Sequence, residues 1–277
     1  MNDPRLTLAR PDLAADALEG VVAARRYRPS RRVSVSAPVA PLWRAADTTS
    51  ERLDELIFGE TFDALEDVGE FLWGQARRDG YVGFVRAADL APARASPTHW
   101  VSALRASAFA EPSIKADATG PFSLNALVTV TAEEGGFARA EGGGWFRRAH
   151  LAPVGLGFER DWTAVAERFL GAPYLWGGRT SLGLDCSGLV QQALYACGRA
   201  CPRDADQQAR LGRSVGRGDL RRGDLVCWRG HIGLMLDETR LLHANAHDMA
   251  VAAEPVVDAM ARIASGPKGE PTTFRRL

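Results

Sequence analysis

The stretch that most constrains what this chain can fold into runs from Pro173 to Val190. It joins an aromatic, glycine-rich loop, Tyr174-Leu175-Trp176-Gly177-Gly178, to the segment Asp185-Cys186-Ser187-Gly188. Apolar residues then recur at helical spacing, which predicts a helix capped by Asp185 and ending at Gly198. Cys186 would lie at the positive end of that helix, where we expect the dipole to lower the thiol pKa. The pattern therefore predicts a nucleophilic cysteine.

A single cysteine is more often a small buried apolar residue than a nucleophile, so the assignment depends on its partners. His231 lies near the start of one predicted strand and His243 near the middle of the next, with a tight connection at residues 237–240. The two imidazoles share a face only if the connection holds an odd number of residues or the ladder has a bulge. The sequence leaves that register open. A thiol, a histidine and a third group orienting the histidine would form a site for nucleophilic catalysis.

Five motifs in this order resemble the NlpC/P60 family of cysteine peptidases, which act on bacterial wall peptides. They are Tyr174-Leu175-Trp176-Gly177-Gly178, Asp185-Cys186-Ser187-Gly188, Arg222-Gly223-Asp224-Leu225, His231-Ile232-Gly233 and His243-Ala244. The resemblance implies an α+β fold, a circularly permuted papain-like catalytic domain. It makes Cys186 the nucleophile, His231 the general base and acid, and His243 the residue that orients His231.

The same resemblance supplies substrate-binding residues near the thiol. Tyr174 would support the oxyanion, while Asp185 and Ser187 would help to bind substrate. The segment from Cys201 to Gln208 resembles the family's Pro-Arg element beside the substrate cleft, with Ala205 at the position where the family usually has serine.

Short apolar segments separated by turn residues dominate the first half of the chain and predict small all-β barrels. Two of these regions end alike, in Ala88-Asp89-Leu90-Ala91-Pro92 and Ala149-His150-Leu151-Ala152-Pro153, which indicates an internal repeat. Both resemble bacterial SH3-like (SH3b) domains. The predicted organisation is an N-terminal helix and arm at 1–30, SH3b domains at 31–93 and 97–154, the second degenerate, and the catalytic domain at 158–277. The N-terminal helix is expected over residues 13–24.

An NlpC/P60 chain with two SH3b domains and no signal segment resembles the subset that cleaves the bond between γ-D-glutamate and an L-diamino acid. The implied partner is a murein-derived peptide, L-Ala-γ-D-Glu-diamino acid, released during cell-wall peptide recycling. The first SH3b domain would read the free amine of the N-terminal L-alanine. The matching residues here are Glu60, Tyr81 and Asp204.

The composition excludes several partner classes. Acidic and basic residues balance at 34 each, so no net field favours nucleic acid or a membrane surface. The N-terminus lacks the apolar core of a signal peptide, which predicts a cytoplasmic protein with its four cysteines as thiols. The implied chemistry needs no metal or organic cofactor, and the oligomeric state stays open.

Several alternatives accompany this interpretation. Cys186, His231 and His243 could bind zinc, although no paired cysteines and no fourth ligand accompany them. His247 could replace His243 as the orienting residue. A wall-remodelling hydrolase acting on polymeric murein and a non-enzymatic wall-binding protein are the rival functions. The tryptophans of the barrels are expected in the core rather than as ligand platforms: Trp43, Trp73 and Trp145.

Overall fold

A computed structural model describes residues 3–277 as two separately packed units, divided after Leu156. The first unit is almost entirely β-structure, and the second combines a six-stranded sheet with four short helices. The divide lies between the predicted limits of the second SH3b domain and the catalytic domain. The finer division of the first unit into an arm and two SH3b domains stays a prediction.

The predicted N-terminal helix is wrong. Strand β1 (Ala14–Ala15) pairs in parallel with β2 (Tyr27–Arg28), and only a 3-10 turn, Asp16–Leu18, lies between them. Apolar residues of this arm pack with the ring of Trp73, which is 3% exposed, so tertiary packing overrides the local helical pattern.

Residues 31–92 form a seven-stranded antiparallel sheet in the order β5-β4-β8-β7-β6-β3-β9. Its strands are β3 (Arg31–Val35), β4 (Val39–Trp43), β5 (Arg52–Ile57), β6 (Thr61–Val68), β7 (Phe71–Ala76), β8 (Val82–Arg86) and β9 (Leu90–Pro92). Alternate residues of these strands face one apolar core. Trp73 is buried as expected, whereas Trp43 and Trp145 are only half-buried.

A five-stranded sheet, β12-β11-β16-β15-β14, and a three-stranded sheet, β13-β10-β17, complete the first unit. Their strands are β10 (His99–Val101), β11 (Arg105–Phe109), β12 (Ala118–Ser123), β13 (Leu127–Val128), β14 (Val130–Glu134), β15 (Phe137–Ala140), β16 (Gly144–Arg147) and β17 (Leu151–Pro153). Both repeated tails adopt one local structure, a 3-10 turn followed by a three-residue strand: Ala87–Asp89 with β9, and Arg148–His150 with β17.

The second unit carries the cysteine and both histidines. Its helices are α1 (Trp162–Glu167), α2 (Cys186–Ala196), α3 (Ala205–Gln208) and α4 (Val256–Ala264). Its strands are β18 (Arg179–Thr180), β19 (Gly183–Leu184), β20 (Arg213–Ser214), β21 (Asp224–Trp228), β22 (His231–Met235), β23 (Arg240–Asn245), β24 (Ala250–Pro255) and β25 (Thr273–Arg276). The large sheet is antiparallel throughout, in the order β20-β25-β21-β22-β23-β24.

Helix α2 begins and ends where the sequence predicts, after Asp185 and before Gly198, but every one of its residues is buried. The apolar stripe faces the sheet, and Gln191 and Gln192 on the other faces are buried as well. Each fully buried leucine or valine contributes about 1.5–3 kcal/mol, so α2 is firmly held in place. Cys186 is thereby fixed against β22. Among residues 3–277, no helix combines the length and apolar character that crossing a membrane requires.

Candidate active site

The carboxylate of Asp185 organises the start of α2. Oδ1 accepts the backbone N–H of Gly188 at 2.8 Å, and Oδ2 accepts that of Gly177 at 2.9 Å. The guanidinium of Arg203 binds both oxygens, with Nη1 3.0 Å from Oδ1 and Nη2 2.6 Å from Oδ2, and the Ser187 hydroxyl donates to Oδ1 at 3.1 Å. These contacts occupy the carboxylate, so Asp185 fixes the loop and helix on either side of the cysteine.

Two glycines of the sequence motifs are required by close backbone approach. A Cβ on Gly188 would lie 2.4 Å from the carbonyl oxygen of Gly178, and a Cβ on Gly178 would lie 2.6 Å from that of Gly183. Both distances are far below van der Waals contact. The aromatic loop therefore packs directly against the first turn of α2.

Cys186 is the first residue of α2 and is 7% exposed. Its thiol lies near the start of β22, where the backbone N–H of Ile232 favours the thiolate and so opposes the rise of the thiol pKa. Burial, reinforced by the charge of Asp185, raises the pKa of the Cys186 thiol to about 11. The expected lowering of this pKa is therefore wrong, because desolvation outweighs the helix dipole. The resting cysteine is a neutral thiol.

His231 and His243 are brought together by the register of β22 and β23. Met235 pairs with Leu241, so five residues separate the last paired positions, and this odd number places both imidazoles on one face. His231 Nε2 lies 2.8 Å from His243 Nδ1. Gly233, between them, has no side chain to crowd His243: a Cβ there would lie 3.1 Å from the Cβ of His243.

Both imidazoles are neutral. Burial lowers the pKa of His231 to about 3, and a second charge beside His243, Lys268 and Arg262 is also unfavourable. Burial also lowers the pKa of His243, although its contact with Glu254 opposes the change. His231 can therefore accept a proton, and its Nδ1 is the nitrogen left for this task because Nε2 contacts His243.

The carboxylate of Glu254, which the sequence did not single out, contacts the nitrogen of His243 that does not face His231. His243 Nε2 lies 2.8 Å from Oε1 of Glu254 on β24, and the same oxygen accepts a hydrogen bond from Nη2 of Arg262 on α4. The sequence offered a signal only in hindsight: Glu254 interrupts an otherwise apolar strand.

The structure separates His247 from the site. His247 is exposed in the turn after β23, and its backbone N–H donates to the side chain of Asn245. His243, which is fully buried, is the histidine in contact with His231. Across the described part of the chain, no group of three His, Cys, Asp or Glu side chains is placed to hold a metal ion.

Ser187 and Tyr174 both lie beside the cysteine. The Ser187 hydroxyl, besides donating to Asp185, accepts from Arg203 Nη1 at 2.9 Å, so it belongs to the same buried cluster. Tyr174 is half-buried; burial raises the pKa of its phenol, and the nearby carboxylate of Asp185 adds to the rise. A neutral phenol beside the thiol can donate a hydrogen bond.

Asp204 and Ala205 occupy the start of α3, which adjoins β22. Asp204 is half-buried, and its backbone N–H donates to Oε1 of Gln207 at 3.2 Å. Ala205 is buried and brings no hydroxyl to this position. Gln208, the last residue of the helix, donates to the carbonyl oxygen of Ser187 at 3.0 Å, which ties α3 to the nucleophile helix.

In the first unit, Glu60 and Tyr81 are both buried, at 2% and 4% exposure. Glu60 Oε1 accepts from Nη1 of Arg78 at 2.9 Å, and Oε2 accepts the backbone N–H of Ile57 at 3.2 Å. Tyr81 lies in the hairpin between β7 and β8 and belongs to the core of the first barrel.

Two regions of the chain match known protein families. Residues 171–262 match the NlpC/P60 family, and residues 42–90 match the bacterial dipeptidyl-peptidase SH3 domain. The first region contains Cys186, His231, His243 and Glu254. The second covers most of the seven-stranded sheet and includes Glu60 and Tyr81.

Curated relatives are named as peptidases. The chain is 29% identical over 211 residues to the gamma-D-glutamyl-L-lysine dipeptidyl-peptidase of Bacillus subtilis, covering 69% of this chain and 71% of that protein. It is 38% identical over 81 residues to the murein DD-endopeptidase MepS/murein LD-carboxypeptidase of Escherichia coli, covering 27% of this chain and 43% of that protein. A probable endopeptidase of Mycobacterium tuberculosis is 34% identical over 112 residues, 38% of this chain and 29% of the relative.

Solved structures show the same fold at low sequence identity. An NlpC/P60 family protein from Bacillus cereus superposes with a TM-score of 0.74 at 18% identity, covering 88% of this chain and 99% of that chain. An NlpC/P60 endopeptidase from Photobacterium damselae superposes with a TM-score of 0.57 at 14% identity, covering 88% and 71%.

Proposed function

Since the chain carries an NlpC/P60 domain and a bacterial SH3 domain, we propose that it is a cysteine endopeptidase that cleaves the γ-D-Glu–L-diamino acid bond of murein peptides. The observation that carries the proposal is the buried set of Cys186, His231 and His243, with the imidazoles 2.8 Å apart on strands that contact the helix of Cys186. A thiol-bearing helix packed on a histidine-bearing sheet also supports the permuted papain-like interpretation.

The first half of the reaction forms a thioester. The Cys186 sulfur attacks the γ-carbonyl carbon of D-glutamate while the thiol proton moves to Nδ1 of His231. The carbon–nitrogen bond then breaks, and the imidazolium gives that proton to the leaving amine of the diamino acid. A neutral thiol and a neutral imidazole in the resting enzyme suit this order of steps, because the base must be unprotonated when the substrate arrives.

The second half regenerates the enzyme. Water attacks the thioester carbon, and its proton passes to Nδ1 of His231 as the carbon–sulfur bond breaks. The sulfur regains the proton, and the dipeptide leaves with a new carboxyl group. His243 acts on His231 through the 2.8 Å contact and need not touch the substrate.

Two groups near the thiol are suited to stabilise the oxyanion. The backbone N–H of Cys186 belongs to the first turn of α2, where helix geometry supplies no acceptor. The phenol of Tyr174 stays protonated at neutral pH, because burial and neighbouring negative charge raise its pKa. The hydrogen bonds from both donors would become stronger as negative charge develops on the carbonyl oxygen.

The same proposal includes recognition of a free N-terminal L-alanine by Glu60 and Tyr81, with Asp204 as a further candidate acid. A terminal ammonium is strongly hydrated, and removing its water is costly unless carboxylates replace it. Two acids and a phenol are the appropriate groups for this purpose. The relative from Bacillus subtilis, named as a gamma-D-glutamyl-L-lysine dipeptidyl-peptidase, supports a substrate of this kind.

The proposed role is recycling of soluble murein peptides in the cytoplasm. The four cysteines form no recognisable disulfide framework in the sequence, which supports this proposal. Cell fractionation with an antibody to the chain tests the location directly, and recovery with the wall or the medium would contradict it.

One comparison of substrates tests the function. The protein is incubated with L-Ala-γ-D-Glu-diaminopimelate and, separately, with intact sacculi, and the products are measured by mass spectrometry: L-Ala-γ-D-Glu from the soluble peptide, and released peptides that begin with diaminopimelate from the sacculi. We expect release from the soluble peptide alone, and none with Cys186→Ala. Release from sacculi at an equal rate would favour a wall-remodelling hydrolase. Wall binding without release from either substrate would favour a non-enzymatic wall-binding protein.

A further inference from the structure

The hydrogen bond between His243 and Glu254 has a defined direction. A carboxylate can only accept, so the nitrogen that contacts it, His243 Nε2, must carry the proton. The side chains are well placed for this contact: His243 is fully buried, and the Glu254 side chain is 19% exposed. His243 pairs with Ala252 across β23 and β24, which puts Glu254, two residues on, on the same face.

The proton on His243 Nε2 determines the protonation of His231. In a neutral imidazole the second nitrogen is bare, so His243 Nδ1 is an acceptor. The nitrogen 2.8 Å away, His231 Nε2, must then be its donor. His231 Nδ1 is in turn left bare, and this is the nitrogen that receives the thiol proton.

We infer that Glu254 is a positioning residue that holds both histidines in the tautomers needed for proton transfer from Cys186. This inference rests on the proposed peptidase function, because it concerns the same thiol and imidazoles. Glu254 acts only through His243 and touches neither the substrate nor the sulfur.

Arg262 opposes the effect of Glu254 on the pKa values of the two histidines. It donates from α4 to Oε1 of Glu254, the oxygen that also accepts from His243. Glu254 favours a proton on the histidine pair, whereas the positive charge of Arg262 disfavours it. The other charged groups facing the pair are Lys268, which opposes a proton on His231, and Asp248, which favours one on His243.

A purely structural role is the alternative to be excluded. Glu254 could serve only to bind Arg262 and so hold α4 on the sheet. In that case, removing either partner would lower stability and activity together, without changing the protonation of the histidines. The two variants Glu254→Gln and Arg262→Gln separate these roles, because they remove charges of opposite sign from one ion pair.

The first experiment needs no activity. Nitrogen-15 NMR of the full-length chain labelled at histidine reports which nitrogen of each ring carries the proton, with His243→Gln used for assignment. We expect a protonated Nε2 on His243 in the wild type and in Glu254→Gln, whose amide oxygen still accepts. In Glu254→Leu the two tautomers should mix. An unchanged His243 spectrum in Glu254→Leu would overturn the inference even if the enzyme cleaves peptides as proposed.

The second experiment follows the acid limb of kcat/KM. Glu254→Gln should move it to lower pH and Arg262→Gln to higher pH, each by up to about one unit. Asp258→Asn, which removes an exposed charge from α4, is the control and should leave it in place. Glu254→Leu should lose about tenfold to a hundredfold in kcat/KM, a loss typical of removing an orienting partner. Shifts in the same direction, or none, would contradict the inference.

Discussion

Two guanidinium nitrogens of Arg203 bind the carboxylate of Asp185, at 3.0 and 2.6 Å from its oxygens. Asp185 is the residue immediately before the nucleophile, Cys186. The Arg203 side chain is 1% exposed and that of Asp185 is 10% exposed, so this ion pair is desolvated. Removing one partner leaves an uncompensated buried charge. The pair therefore links the Pro202-Arg203 element to the geometry of the catalytic helix.

Arg203→Ala should be strongly destabilising and nearly inactive. Breaking a buried pair typically costs about 3–5 kcal/mol, because the remaining charge has lost its partner. Urea denaturation measures this loss, and Arg199→Ala, at an exposed position just after α2, is the control. A change of less than about 1 kcal/mol in Arg203→Ala would indicate that Asp185 is satisfied without it.

Alkylation of Cys186 should depend on its histidine. Because burial raises its thiol pKa to about 11, iodoacetamide should label Cys186 slowly at pH 7 and faster as pH rises. His231→Ala should slow this labelling further, since no base then accepts the thiol proton. Cys197, which is half-buried on the far end of α2, is the internal control and should be unaffected. Mass spectrometry of labelled peptides gives both rates, and fast labelling of Cys186 at neutral pH would contradict a neutral thiol.

The three histidines of the second unit should differ sharply in their effect on kcat/KM. His231→Ala should lose roughly a hundredfold to ten-thousandfold, the usual contribution of a general base. His243→Gln should keep part of the activity, because an amide oxygen can still accept from His231 Nε2. His247→Ala should resemble the wild type, since this residue is exposed in a turn. A larger loss in His247→Ala than in His243→Gln would reverse the assignment of the orienting residue.

Lys268 should influence the pH of the acid limb of kcat/KM. Its charge lowers the pKa of His231, and its Nζ donates to the carbonyl oxygen of Gly230 at 2.7 Å. In Lys268→Met the imidazole pKa should rise, so the acid limb of kcat/KM should move to higher pH. Lys268→Arg keeps the charge and should restore the limb. The only other lysine, Lys115, is exposed in the first unit, and Lys115→Met is the control.

Glu60 should be needed for the free amine of the substrate. Glu60→Gln should reduce kcat/KM on L-Ala-γ-D-Glu-diaminopimelate by about a hundredfold, and acetylating the amine should cause a similar loss in the wild type. Glu55→Gln is the matched control, because Glu55 is also buried and also pairs with an arginine, Arg52. Similar losses in both variants would assign Glu60 a structural role, and equal cleavage of acetylated and free peptides would show that the amine is not read.

Local pattern was enough to predict the nucleophile helix. Asp185 and Gly198 are predicted to bound it, and α2 runs from Cys186 to Ala196 between them. These signals are strong because capping residues and periodicity act within a few positions. The same reasoning failed for residues 13–24, where packing on Trp73 favours one short strand and a 3-10 turn over a helix.

The features that escaped prediction depend on contacts between distant residues. Glu254 lies 11 residues beyond His243 and becomes its partner only through the pairing of β23 with β24. The thiol pKa was expected to fall because the sequence shows the helix start but not the depth of burial. Whether His231 and His243 share a face required the register, which the sequence left open.

The number of residues in the connection between β22 and β23 determines whether His231 and His243 lie on the same face of the sheet. The connection is a turn, exposed at residues 238–240, in which the Asp237 side chain accepts hydrogen bonds from the backbone N–H groups of Thr239 and Arg240. Substitutions that preserve this turn leave the imidazoles paired. A single insertion or deletion would instead turn His243 to the opposite face of the sheet, unless a bulge absorbed it. In related sequences the residues of this turn can therefore vary in type, whereas its length should vary only in steps of two residues.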